Sequence, residues 1–223
     1  MSPSRFSSLA LVLVVLGCGD DPPPPHCACQ HDPASATHDH ASLPPASALD
    51  GASIYQLDSS FTDQDEHAFT LSSLRGQPVL VVMFYGSCTT VCPLLLSEAV
   101  RVDQGLSEAE RARLRVIFVT FDPENDTPDR LRALAAERSF PVPRYALLRG
   151  DDDAIRELAM ALGVQYRRTG DGQFVHSAMV TLLDEEGRIA VQADGVDAPL
   201  EPLISRAHEI ATTTGREAEG AVR

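Results

Sequence analysis

Cys88 and Cys92 are the residues of this sequence best placed to do chemistry. They stand in Tyr85-Gly86-Ser87-Cys88-Thr89-Thr90-Val91-Cys92-Pro93, directly after the unbroken apolar run Val79–Tyr85, which reads as a buried strand. Loops at strand ends are where open α/β sheets place their sites. Pro93 suits the first position of a helix, so Cys92 is expected close to free backbone N–H groups, where the positive helix end favours a thiolate. Cys88 is expected to be the more exposed of the two. If the intervening residues coil into one turn, the two α-carbons lie about 6 Å apart by helix rise and radius, a spacing that a disulfide tolerates. The same spacing lets both sulfurs face one thiophilic ion. The pair therefore supports reversible Cys88–Cys92 disulfide formation and metal capture, and a third ligand would choose between them.

The chain has seven His, of which His67, His176 and His208 fall in the part expected to fold. His67 belongs to an early hairpin and His208 to a terminal helix, and both read as ordinary surface or structural residues. His176 stands in Gln173-Phe174-Val175-His176-Ser177-Ala178-Met179, at the start of an expected core strand. An imidazole there, taken alone, reads as structural.

The elements that must position these residues follow from periodicity. Ile54–Leu57 and His67–Thr70 flank the polar Asp63–Glu66 and suggest a hairpin. Beyond the Val79 run, a helix is expected from Pro93 with Leu94, Leu95, Leu96 and Val100 inward, then a second buried strand over Val116–Phe121. Thr127-Pro128 is a cap followed by a first-turn proline, with Leu131, Leu134 and Ala135 at helical spacing. Tyr145–Leu148 reads as a short strand. Asp151–Leu162 reads as an amphipathic helix ended by Gly163. Met179–Leu183 and Ile189–Ala193 flank a turn at Asp184–Gly187, and Pro199 to about Ala211 is a final helix. Buried strands alternating with helices, closed by an antiparallel hairpin, predict an α/β layered domain over residues 51–213, with a short frayed tail at 214–223.

The residues before this domain have a different character. Arg5 and the eight apolar residues Leu9–Leu16 fit an export signal, and the run is too short for a membrane span of about 20 residues. It ends in Leu16-Gly17-Cys18, which resembles a bacterial lipoprotein signal. On that reading residues 1–18 are the signal, Cys18 is lipidated, and the protein sits outside the cytoplasm, at the periplasmic face of a membrane; a plain cleaved signal is the alternative. Residues 19–50 are poor in bulky apolar groups and read as a flexible tether. They carry His26, Cys27, Cys29, His31, His38 and His40, a density of thiol and imidazole that could collect a soft or borderline metal, or else a Cys27–Cys29 pair that simply oxidises. Over its 223 residues the chain has a net charge of −14 and is 43% hydrophobic. The hydrophobic share excludes wholesale disorder, and the negative charge argues against a nucleic-acid partner. Five Cys in a chain this long exclude a disulfide-built miniprotein.

Residues from about 52 to 213 resemble the Sco (SenC) family of thioredoxin-like copper chaperones. Phe61-Thr62-Asp63-Gln64 and Leu74-Arg75-Gly76-Gln77-Pro78-Val79-Leu80 look like the family's opening segment, and Cys88-x-x-x-Cys92-Pro93 like its copper-binding motif. Asp122-Pro123-Glu124-Asn125-Asp126-Thr127-Pro128 is similar to its second motif, and Phe174-Val175-His176-Ser177 to its histidine segment, followed by Leu183-Asp184-x-x-Gly187. One departure is Val175, where many members carry Asp. The resemblance implies a thioredoxin-like fold with a central mixed sheet flanked by helices and an N-terminal β-hairpin. It implies that Cys88, Cys92 and His176 converge on one copper, as Cu(I) or Cu(II), and that the protein helps build the dinuclear copper centre of cytochrome c oxidase subunit II or serves another copper protein. Two thiolates and an imidazole suit Cu(I). The alternative activity is thiol–disulfide exchange on cysteines of that subunit or of another extracytoplasmic protein, with Cys88 and Cys92 as the redox pair. The Asp122–Pro128 segment reads first as a helix-capping turn, with Asp122 or Asp126 placed to act close to the copper or a partner.

Overall fold

The architecture was read from a computed structural model that describes residues 53–220 apart from 171, the helix residues 213–220 by backbone alone. The signal, Cys18 and the His/Cys-rich tether lie outside the described residues, as do the last three residues of the chain.

Three apolar runs make the centre. Strand β3 (Val79–Phe84) is buried at every position, and β4 (Arg115–Thr120) at all but its first. A strand buried on both faces needs cover above and below, which is the condition of parallel strands joined by helical crossovers. Accordingly β3 pairs parallel with β4, and β4 with β5 (Tyr145–Gly150). The first crossover holds α1 (Val91–Gln104) and α2 (Glu108–Arg113), and the second holds α3 (Pro128–Glu137). Helix α4 (Asp152–Leu162) follows β5, capped by the Asp151 side chain on the N–H of Ala154 and stopped by Gly163, whose φ of 69° is left-handed.

Two antiparallel hairpins extend this centre. Strands β8 (Met179–Leu183) and β9 (Ile189–Asp194) add to the β3 side, while β1 (Ser60–Thr62) and β2 (Ala68–Thr70) add to the β5 side. The seven-stranded order is β2-β1-β5-β4-β3-β8-β9. A separate two-stranded ribbon, β6 (Tyr166–Arg168) with β7 (Phe174–His176), stands outside that sheet. The last helix, α5, spans Glu201–Gly220. Among the described residues no helix is long and apolar enough to cross a membrane.

The expected elements are present, with several differences. Helix α5 runs to Gly220, through most of the 214–223 segment expected to fray, and Leu94, expected inward on α1, is 51% exposed because the buried stripe starts from Cys92. Three more concern the placement of elements. The first hairpin uses Ser60–Thr62 as its opening arm instead of Ile54–Leu57. Ile54–Gln56 is instead a 3-10 turn, because the buried Ile54 and Tyr55 plug the base of the β8–β9 turn. The Ile54 N–H donates to the Gly187 carbonyl at 2.9 Å. Gly187 has φ 78°, and a Cβ there would come within 2.7 Å of the Tyr55 ring, so glycine is required twice over. Helix α2 was not expected. It has two turns at most and no apolar stripe, but Ser107 and Glu110 form a reciprocal capping box that starts it. The third difference concerns His176, which ends the short ribbon strand β7 and lies outside the core strand β8.

Candidate metal and thiol site

Helix α1 begins at Val91, so Cys92 sits inside its first turn, one residue before the proline. Cys92, Leu95, Leu96, Ala99 and Val102 are the buried stripe of that helix, at i, i+3, i+4, i+7 and i+10. The cysteine is therefore the first core position of the helix, only 2% exposed. Cys88, in the loop before the helix, is 8% exposed. It is the more accessible of the two, as expected, although both are buried. Both are free thiols in this structure.

The assignment of the thiolate is reversed from the sequence expectation. The N-cap residue Thr90 makes no side-chain cap. Instead Cys88 Sγ accepts the N–H of Cys92 at 3.3 Å, and it lies 3.8 Å from the Thr90 hydroxyl. The sulfur that satisfies an open helix N–H belongs to the residue before the helix, not to the one within it. Burial pushes the Cys88 thiol up, but the Cys92 and Thr90 N–H groups, with the neighbouring thiol and hydroxyl, outweigh it and hold it down at about 7. Burial pushes the Cys92 thiol well above its ordinary value, and sharing its proton with Cys88 raises it further.

His176 completes the group. Its Nε2 lies 3.4 Å from Cys92 Sγ, and its Nδ1 lies 2.8 Å from the Ser177 carbonyl oxygen. A carbonyl can only accept, so Nδ1 carries the proton and Nε2 presents its lone pair to the sulfurs. One ligand atom from each of Cys88, Cys92 and His176 lies within 4.8 Å of the other two. Two sulfurs and an imidazole nitrogen at that mutual distance suit a soft, low-coordinate ion such as Cu(I). The other grouping of this kind among the described residues is Asp63, Asp65 and His67, a solvent-facing turn in which Asp63 accepts the N–H groups of Asp65 and His67. His208 pairs with Glu110 between α5 and α2.

Several residues that hold this geometry escaped the sequence reading. The Tyr85 ring stands edge-on to His176 with centroids 5.9 Å apart, and Phe121 lies 5.0 Å from the same imidazole. Phe174 closes the cluster against Tyr85 and Phe121, and Tyr166 stacks on Phe121 at 5.2 Å. The Tyr85 hydroxyl donates to Gln173 Oε1 at 3.2 Å, tying the end of the cysteine strand to the histidine ribbon. Phe121 adjoins the Asp122–Pro128 segment and Phe174 opens the histidine segment itself, and those positions were the available signal.

The Asp122–Pro128 segment is a capping turn, as expected: Thr127 Oγ1 accepts the Arg130 N–H, and Pro128 opens α3. It is also a bracket between the two ligand-bearing pieces. Asp126, 1% exposed, accepts the Gly86 N–H at 2.9 Å and the Thr120 hydroxyl, which fixes the cysteine loop. Gly86 is needed for this approach, since a Cβ there would lie 2.3 Å from the Asp126 carboxylate. Asp122 accepts from Arg168 of the ribbon at 2.6 Å, and Arg168 also reaches Glu124 at 3.3 Å. Val175, the residue before the histidine, is 59% exposed and lends the imidazole no polar support.

A parallel-centred sheet with a helix-capping dithiol at a strand end, met by an imidazole from outside the sheet, defines a thioredoxin-like protein with a metal-competent thiol site. The family model SCO1/SenC matches residues 48–212, and the chain belongs to that family. It is 28% identical over 149 residues to the SCO1 protein homolog of Bacillus subtilis, covering 65% of this chain and 77% of that one. Among solved structures it is similar to Bradyrhizobium japonicum ScoI with copper bound, at 26% identity and TM-score 0.52, covering 71% of this chain and 96% of the other. It is also similar to BsSco, described as a disulfide-switch member of the Sco family of cytochrome c oxidase assembly proteins, at 25% identity and TM-score 0.59, with 69% and 91% covered.

Proposed function

We propose that this protein is a copper metallochaperone in which Cys88, Cys92 and His176 hold the ion that it delivers. The carrying observation is the pre-set imidazole: with Nδ1–H committed to the Ser177 carbonyl, Nε2 faces the two sulfurs before any ion arrives. The likeness to a ScoI with copper bound supports the cargo. Two thiolates and one imidazole leave Cu(I) open on one side, so the ion can pass to a partner by ligand exchange instead of being locked in a closed four-ligand cage. The client that fits the family is cytochrome c oxidase subunit II, whose dinuclear copper centre would receive the ion. The export signal and Cys18 support a lipid-tethered protein on the extracytoplasmic side of a membrane, with the His- and Cys-bearing tether collecting copper.

The test is copper titration of the purified chain with X-ray absorption at the copper edge. The expected spectrum has two sulfur neighbours and one nitrogen, and His176→Ala should lose the nitrogen. Unchanged copper binding in Cys88→Ala, Cys92→Ala and His176→Ala would overturn the reading.

A second reading has its own support. The two thiols are unlike: Cys88 is a low-lying nucleophile at about 7, and Cys92 is a buried, proton-holding partner. That asymmetry suits thiol–disulfide exchange, in which Cys88 attacks a client disulfide sulfur, the client's other sulfur leaves as thiolate, and Cys92 then displaces the client from the mixed disulfide. Reductase turnover that survives His176→Ala but is abolished in either cysteine variant would favour it over copper delivery.

A further inference from the structure

A largely apolar groove of about 660 Å³ lies at the C-terminal end of α4, against the segment that runs from the first 3-10 turn into β1. Leu57, Met160, Ala161 and Val164 are among its lining residues, and Met160, at 70%, is the most exposed large hydrophobic side chain among the described residues. Asp58 and Glu157 also line it, and no cationic side chain does. Gln165 closes one end. Its carbonyl accepts the Ser177 N–H at 2.8 Å, and its own N–H donates to Ser177 Oγ at 3.1 Å. The Ser177 carbonyl in turn accepts from Nδ1 of His176. One doubly bonded pair of residues therefore joins the groove to the imidazole.

We infer that the chain's own segment 41–52 straps this groove, with the Leu49 side chain seated against Met160 and Val164, and that the strap steadies the Gln165–Ser177 pair beside the imidazole. The described chain begins at Ser53, three residues before Gln56, which lines the groove. Across a 3-10 turn that separation is about 6 Å by the rise per residue. Leu49 stands four residues further back and can reach about 14 Å from Ser53 at full extension. Leu43 and Leu49 are the bulky apolar residues between Cys18 and Ser53. Leu49 is the one inside the matched family domain, which begins at residue 48, ahead of the first described residue. Charge selects the same occupant. A second copy of a chain at −14, or an anionic lipid surface, would bring like charge to Asp58 and Glu157. Residues 41–49 carry no charge at all. Seating Leu49 takes its side chain and the exposed thioether of Met160 out of water together.

The experiment is methyl nuclear Overhauser spectroscopy on the full chain, labelled at its Leu, Val and Met methyl groups and free of metal. The expected result is cross-peaks from Leu49 to Met160 and Val164 within one molecule. Their absence, or a seat taken by Leu43, overturns the inference. Cross-peaks seen only between differently labelled chains in a mixed sample make a second copy the occupant and overturn it too. Broadening of Met160 by phosphatidylcholine vesicles, with no Leu49 contact, does the same in favour of a lipid surface. The second measurement is hydrogen exchange at the Ser177 amide, which should quicken several-fold in Leu49→Ser and stay unchanged in Leu43→Ser. Equal exchange in both variants overturns the steadying role. Should Leu49→Ser fail to fold, the cross-peaks of the native chain still decide where Leu49 sits. Neither measurement involves copper, so the copper reading and this inference stand or fall separately.

Discussion

At the scale of residues, the two thiols divide the labour of a dithiol site. Cys88 is charged for much of the physiological range, and Cys92 is not. Iodoacetamide should modify Cys88 with a midpoint near pH 7 and leave Cys92 largely untouched, as read by mass spectrometry of the labelled peptides. Metal binding needs both as thiolates, so the proton count follows from the same asymmetry. Above pH 7 Cys88 is already deprotonated and only Cys92 must lose its proton. Below pH 7 both must. Copper binding should therefore release about one proton at pH 8, rising toward about two at pH 6, with affinity falling as the solution becomes more acidic. Titration calorimetry in buffers of different ionisation enthalpy measures that count. The cysteine spacing and the histidine were legible in the sequence because motif residues carry them. The identity of the thiolate was not, because Pro93 suggested a helix starting two residues later than it does. The apolar stripe Cys92-Leu95-Leu96-Ala99-Val102 carried the correct register, and it places Cys92 inside the helix.

At the scale of elements, the site depends on a bracket that touches none of the three ligand atoms. Gly86→Ala should push the Asp126 carboxylate off the cysteine loop. The expected cost is about 1–3 kcal/mol, that of a buried acceptor losing its donor, measured as a lower denaturant midpoint. Copper affinity should fall with it. Asp126→Ala should act in the same direction by leaving the Gly86 N–H without its acceptor. Arg168→Ala should cost less, about 1 kcal/mol or under, because that ion pair is half exposed on the arginine side. The parallel centre, the capped helices α3 and α4 and the terminal hairpin all announced themselves through continuous apolar runs and cap residues. The ribbon β6–β7 did not: three residues per strand is too short for a period to show, and its hold on the domain comes from aromatic packing between segments far apart in the chain. The misplaced first hairpin has a similar cause, since Ile54 and Tyr55 are apolar for packing on Gly187 and not for pairing in a sheet.

At the scale of the whole molecule, the domain is an ordinary layered sheet to which one outlying ribbon contributes the imidazole of the candidate site. Its placement in the cell rests on residues outside the described part. Under the lipid-tether reading, Cys18→Ser should move the protein from the membrane fraction to the soluble extracytoplasmic fraction, read by fractionation and immunoblot, with the copper spectrum of the purified protein unchanged. The aromatic inventory adds a consequence of a different kind. The chain has no Trp and four Tyr, and one of the four, Tyr85, packs against the imidazole of the candidate site. Ultraviolet emission from this protein is thus tyrosine light alone, with one emitter at the mouth of the site. Loading should dim a fraction of that glow and delivery should restore it, so the protein carries its own gauge of occupancy, and Tyr85→Phe should blind the gauge.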